Sequence, residues 1–183
     1  RSGNGDSPDS RRRSTLHAQW EMRRTVSIRP DTCPLRKRRL GGLRRSVSRS
    51  VLLDSSGWVA AAVRGQTHHE AARAAYTAAV RQGTRIVVTP MVLGESHALF
   101  LRLLGRDQAA AALESVLRDP THVVITVSDE LVRAAVARWV APFRDQRFSL
   151  CDAVSFEVMQ REGITEAISI DRHFRTAGFG TVG

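Results

Sequence analysis

The chain has 183 residues with 28 Lys and Arg against 18 Asp and Glu, a formal charge of +10. All of that excess lies in residues 1–50, which hold 14 basic and 4 acidic side chains, whereas residues 51–183 hold 14 of each, so the basic pI describes a tail and not the domain behind it. Cys33 and Cys151 have no paired spacing, which excludes a disulfide framework and points to a reducing cytoplasm. No apolar run approaches the roughly 18 residues of a membrane span, and no apolar stretch follows the N-terminal Arg clusters as in a secretory signal.

Residues 1–50 show neither helical nor strand periodicity. They are punctuated by Pro8, Pro30, Pro34 and Gly41-Gly42 and carry the runs Arg11 to Arg13 and Arg36 to Arg39, so they are expected to be disordered. One expectation for this segment is an arm that grips phosphates through counterion release. The other is that it is not part of the native protein, translation starting instead at Val51, directly on the first strand.

Residues 51–183 are long enough to bury roughly two-thirds of their unfolded surface in one core. They open with Val51 to Val63, VLLDSSGWVAAAV, which reads as a short buried strand delivering Asp54 at its carboxyl end, then a helix from near Gly57. The Ala-rich stretch His68 to Gln82 predicts a helix capped by Gly83, and Arg85 to Val88 a β-branched strand. Thr89 suits an N-cap and Pro90 the first helical position, so a helix follows from Met91 to about Leu104, with another from Asp107 to Leu117. Thr121 to Val127 predicts a third strand. Ser128-Asp129-Glu130 starts a helix whose apolar residues Leu131, Val132, Ala135, Val136, Trp139 and Val140 share one face. Ser149 opens a helix to Gln160, Ala167 to Ile170 is a fourth strand, and Phe179 to Val182 supplies a fifth at the edge. This alternation predicts an α/β fold of three α/β/α layers around a parallel sheet of four to five strands.

Each notable acid has an ordinary structural job available. Asp54 and Asp171 can cap the helices that follow them, and Ser149-Leu150-Cys151-Asp152 fits a capping box. Glu95 has Met91, Val92, Ala98 and Leu99 as its helical neighbours, so it is either a costly acid on a packed face or a solvent-facing one. The specificity lies in the set. Asp54 follows the first strand, Asp171 the fourth, and Glu95 and Asp152 lie in the first turns of helices bordering that layer, so a right-handed parallel sheet can bring all four to one edge. Four carboxylates within a few ångströms repel. A hard divalent cation, Mg²⁺ or Mn²⁺, removes the conflict through oxygen ligands.

The strings VLLDSSGWVAA, TPMVLGE, SLCDAVSFEVM and ISIDRHF resemble the four acidic motifs of the PIN-domain nucleases, and their order and spacing are most similar to the VapC toxins of toxin–antitoxin pairs. The resemblance covers residues 51–183 and leaves the first fifty unexplained. It implies a PIN-like fold with Asp54, Glu95, Asp152 and Asp171 as metal-binding acids, and Ser56 and Ser169 as hydroxyls beside the first and last of them. It further implies Mg²⁺- or Mn²⁺-dependent hydrolysis of RNA phosphodiesters, a cognate antitoxin partner and a homodimer; the lack of a long apolar run separately predicts no membrane association.

Other residues offer less. His97 is two positions from Glu95 and faces elsewhere, and His68-His69 lack metal-ligand spacing, so these histidines read as surface or capping residues. Arg172 and Arg175 flank the last motif and either meet phosphate or are ordinary solvated arginines. Cys151 lacks a nearby His base for a nucleophilic role. A receiver-type signalling domain would need a lysine after a late strand, yet Lys37 is the chain's only lysine. An aspartyl-phosphate phosphatase would need DxDxT where this chain has Asp54-Ser55-Ser56-Gly57. The remaining alternative is a catalytically inactive module that binds RNA or protein.

Overall fold

The computed structural model describes residues 49–183; the disorder expected of the Arg-rich segment before them lies outside the described residues. Regular structure starts ahead of Val51. β1 spans Ser50–Leu53, and Arg49 is already part of the fold, its carbonyl accepting from Arg85 N at 3.0 Å and its guanidinium meeting Glu166 at 2.6 Å.

The order continues with α1 (Ser55–Ala62), α2 (His69–Arg81), β2 (Arg85–Val88), α3 (Pro90–Leu104), α4 (Arg106–Arg118), β3 (His122–Val124), α5 (Asp129–Ala135) running into a π-helical turn (Val136–Val140), α6 (Leu150–Glu162), β4 (Glu166–Ile168), α7 (Arg172–Thr176) and β5 (Gly180–Val182). The five strands form one sheet in the order β3-β2-β1-β4-β5, every pair parallel. β1 is central because Val51, Leu52 and Leu53 are apolar on both faces. Leu52 packs with Val87, Ala167, Trp139 and Phe156 in one layer. Val51 and Leu53 pack with Ile86, Val88, Ile168, Trp58 and Phe100 in the other. The sequence-predicted three-layer α/β/α architecture is what forms.

Where strands end matters for the site. β3 stops at Val124, short of the expected Val127, because β2 hands over to the Thr89 cap and Pro90 after Val88; Ile125 N makes the last bond to that strand, to Val88 O at 2.9 Å, and Ile125 and Val127 pack against the core beyond it. β4 stops at Ile168 and not Ile170, since β1 also ends there in register, Leu53 opposite Ile168. Ser169 and Ile170 are thereby released from the sheet. The face expected on α5 is split by the π-helical turn: Leu131, Ala135 and Trp139 are buried, but Val136 and Val140 are exposed.

From β1 the chain builds outward through β2 to β3 on one side, and the crossover after β3 then returns it past β1 to β4 on the other. The build direction therefore reverses between β1 and β4, and the carboxyl ends of strands at such a reversal are where ligands of open parallel sheets sit. α1 lies so close to β4 that a Cβ on Gly57 would sit 2.2 Å from the Ile168 carbonyl oxygen, so only glycine allows the approach.

Candidate active site

Asp54 leaves the end of β1 with its amide still in the sheet, donating to Ile168 O at 3.1 Å. Its side chain turns back as the N-cap of α1, which begins at Ser55 and not near Gly57. Oδ2 accepts the Ser56 amide at 3.1 Å and the Ser56 and Ser169 hydroxyls, the latter at 2.9 Å. Each hydroxyl also accepts a backbone amide: Ile170 N reaches Ser56 Oγ at 3.2 Å and Asp171 N reaches Ser169 Oγ at 3.0 Å. Both hydroxyl protons are committed to Asp54, so the 3.2 Å contact between the two oxygens follows from their shared acceptor. This double clip ties the segment after β4, and with it Asp171, to the end of β1.

Asp54 is only 4% exposed. Burial pushes its carboxyl above the ordinary range; the Ser56 and Ser169 hydrogen bonds and the Ser56 amide pull it back, and Asp152 adds a further upward push. Desolvation wins because no arginine pairs with Asp54 among the described residues.

Asp171 and Asp152 both perform their capping jobs, and the two caps converge. Asp171 Oδ1 accepts His173 N at 2.9 Å at the start of α7. Asp152 Oδ2 accepts Ser149 N at 2.8 Å while Asp152 N donates to Ser149 Oγ at 3.0 Å, completing the capping box of α6. Between the two carboxylates lies His173, whose Nδ1 is 3.3 Å from Asp152 Oδ2 and 3.4 Å from Asp171 Oδ2. One ligand atom from each of Asp152, Asp171 and His173 falls within 4.8 Å of the others.

Glu95 reaches the site from α3. Despite its four apolar neighbours it is exposed on α3, and its Oε2 accepts the hydroxyl of buried Ser55 at 2.7 Å. Cys151 joins it to the other acids: burial, the Glu95 charge and a hydrogen bond to Glu95, followed by the charges of Asp54 and Asp152, all push the thiol up. So placed, Cys151 is a poor nucleophile. Asp54, Glu95 and Asp152 thus all act on one thiol, Asp152 and Asp171 meet at His173, and Ser169 couples Asp171 to Asp54.

Two residues of this arrangement, Ser55 and His173, were not singled out by sequence. The available signal for His173 was the DRHF string, in which a histidine two positions into a helix folds back over its capping aspartate. Among the other histidines, His69 is largely buried rather than on the surface, its Nδ1 lying 2.7 Å from Ala60 O. Arg172 and Arg175 are both exposed, and Arg175 donates to Thr181 Oγ1 at 2.9 Å.

The donor set fits a divalent cation. Carboxylate oxygens dominate it, and His173 Nδ1 is buried without a hydrogen-bond partner. Oxygen-rich sites with one imidazole suit first-row divalent ions.

A family model for the PIN domain matches residues 51–180. Among curated proteins, the 23S rRNA-specific endonuclease VapC20 of Mycobacterium tuberculosis is 28% identical over 129 residues, covering 70% of this chain and 95% of the relative, in strains CDC 1551 / Oshkosh and ATCC 25618 / H37Rv alike. The crystal structure of Mycobacterium tuberculosis VapC20, titled a sarcin-ricin loop cleaving toxin, matches with a TM-score of 0.64 at 30% identity, over 71% of this chain and 96% of that one. Acids gathered beyond the carboxyl ends of the central strands of a parallel sheet and a family match spanning that sheet agree, and this chain belongs to the PIN domain family.

Proposed function

We propose that this protein is a metal-dependent endoribonuclease that hydrolyses RNA phosphodiesters and serves as the toxin of a toxin–antitoxin pair. The observation that carries the reading is Asp54: a carboxylate 4% exposed, desolvated with no paired cation among the described residues, and near Asp152, whose charge raises its pKa further. Such a group is costly unless a positive charge arrives.

Asp54, Asp152 and Asp171 would hold Mg²⁺ or Mn²⁺, with Glu95 reaching the site from α3. A cation bound there lowers the pKa of a coordinated water and offsets charge growing on the phosphate. The chain's own residues supply orientation. Ser56 and Ser169 fix the Asp54 carboxylate through Oδ2, and Ser55 holds Glu95, so these acids are aimed before substrate binds. The VapC20 relatives named above act on 23S rRNA, so a sarcin-ricin stem-loop is the first substrate to assay, in a cytoplasmic setting.

A ribonuclease of this kind needs restraint, and a cognate antitoxin is the proposed partner. Leu101 and Leu103 on α3 and Leu117 on α4, exposed at 41%, 46% and 60%, offer apolar surface for a homodimer. No helix among the described residues is long and apolar enough to cross a membrane.

The test is cleavage of RNA by partner-free protein with Mg²⁺ or Mn²⁺. Asp54→Asn and Asp171→Asn should each cut the rate by on the order of 10² or more, the size of losing one electrostatic contact to the transition state, with circular dichroism unchanged. Protein that binds RNA normally but leaves it intact with either metal would make this an inactive binding module instead.

A further inference from the structure

We propose that His173 is itself a ligand of the cation, giving a mixed nitrogen and oxygen site that prefers Mn²⁺ to Mg²⁺. This rests on reading the acids as a cation site, and it adds a donor that the four-carboxylate reading lacks.

Three observations converge on Nδ1. The ring is held in place: its own backbone amide is bound to Asp171 Oδ1 at 2.9 Å, and Phe148 packs edge-on against it with centroids 5.3 Å apart. Nδ1 is aimed between two carboxylates, 3.3 Å from Asp152 Oδ2 and 3.4 Å from Asp171 Oδ2. It also makes no hydrogen bond, which leaves the lone pair of the neutral ring open to a cation.

The spacing suits coordination. Adjacent ligands of an octahedral ion with bonds of about 2.1 Å stand about 3 Å apart, close to the separations around Nδ1. A small contraction would bring all three atoms onto one ion. Mg²⁺ favours oxygen and gains little from imidazole, whereas first-row transition ions accept nitrogen readily and stand higher in affinity. His173 would therefore act mainly on which metal is bound.

The experiment is Mn²⁺ and Mg²⁺ binding to full-length, metal-free protein by calorimetry, with pulsed electron paramagnetic resonance of the Mn²⁺ form. The proposal expects ¹⁴N coupling to Mn²⁺ in the wild type that disappears in His173→Ala, roughly tenfold weaker Mn²⁺ binding in that variant, and Mg²⁺ binding changed much less. His173→Asn, which preserves a polar side chain of similar reach, should behave like His173→Ala. Absence of ¹⁴N coupling in wild-type protein overturns the proposal even if the variants fail to fold. So do equal losses for both metals. Asp171→Asn separates the two levels: if it abolishes Mn²⁺ binding while ¹⁴N coupling is absent, only the role of His173 falls. If it binds Mn²⁺ as tightly as wild type, the cation site falls and His173 with it.

Discussion

Glu157 and Asp54 are both nearly inaccessible, at 1% and 4% exposure, yet the fold surrounds them differently. Glu157 Oε1 accepts Arg161 Nε at 2.8 Å, and Oε2 accepts Trp139 Nε1 at 3.2 Å and lies 3.3 Å from Arg138. Its charge is matched by arginines and an indole that belong to the same helical layer. Asp54 receives hydroxyls and an amide but, among the described residues, no cation. Burial of a carboxylate is costly in both places, and only at Glu157 does the protein supply the full compensation. The contrast separates an acid that holds the structure together from one held ready for something else.

The largest expected effect breaks that contrast from both sides. Asp54→Asn should lose RNA cleavage by on the order of 10² or more while keeping or raising the melting temperature of metal-free protein. Glu157→Gln should do the reverse, losing about 1–3 kcal/mol of stability with cleavage per folded molecule within a few-fold of wild type. Denaturant unfolding beside single-turnover cleavage reads both.

Next in size is Gly57→Ala. The added methyl meets the Ile168 carbonyl at 2.2 Å, so α1 must move off β4 at a cost of about 3 kcal/mol or more. Because α1 carries the Ser56 half of the clip, any protein that still folds should also be slow. Near-normal stability in chemical denaturation would show that the close approach is unnecessary.

The pH response sharpens the comparison further. Asp54 has a raised pKa in the folded protein, so the folded state holds the proton to higher pH than the unfolded chain, whose Asp titrates near ~3.9. Metal-free protein should therefore lose stability as pH rises from about that value through the raised one. The contribution should be missing in Asp54→Asn and reduced when Mg²⁺ or Mn²⁺ is bound. Urea unfolding across that window checks it; a slope identical in wild type and Asp54→Asn would rule it out.

The smallest effects belong to the clip. Ser56→Ala and Ser169→Ala each remove a hydrogen bond worth about 1 kcal/mol. Since both bonds hold the Asp54 pKa down, each variant should move that stability loss to higher pH. Unfolding curves at several pH values would detect the displacement.

Much of the fold was legible because the local signals were strong. Val51 to Leu53 could only be a buried strand, Thr89-Pro90 fixed a helix start, and Ser149 with Asp152 formed the expected capping box. Strand ends were less legible: whether Ile170 or Val127 continues a strand depends on where the neighbouring strand stops, which is a tertiary fact. The π-helical turn that exposes Val136 and Val140 likewise leaves no mark in the apolar spacing. At the site, capping and convergence do not compete: Asp152 and Asp171 each cap a helix and still bring a carboxylate oxygen to His173. Glu95 was harder, because apolar neighbours on its own helix do not determine whether another element covers it. His173 escaped notice because its contact with Asp152 joins two helices distant in sequence.

Anomalous diffraction from a crystal equilibrated with Mn²⁺ tests the central claim most directly. The account predicts a peak between Asp152 and Asp171, on the order of 2 Å from their carboxylate oxygens, lost in Asp171→Asn. A crystal with no peak at these acids under saturating Mn²⁺ would contradict it.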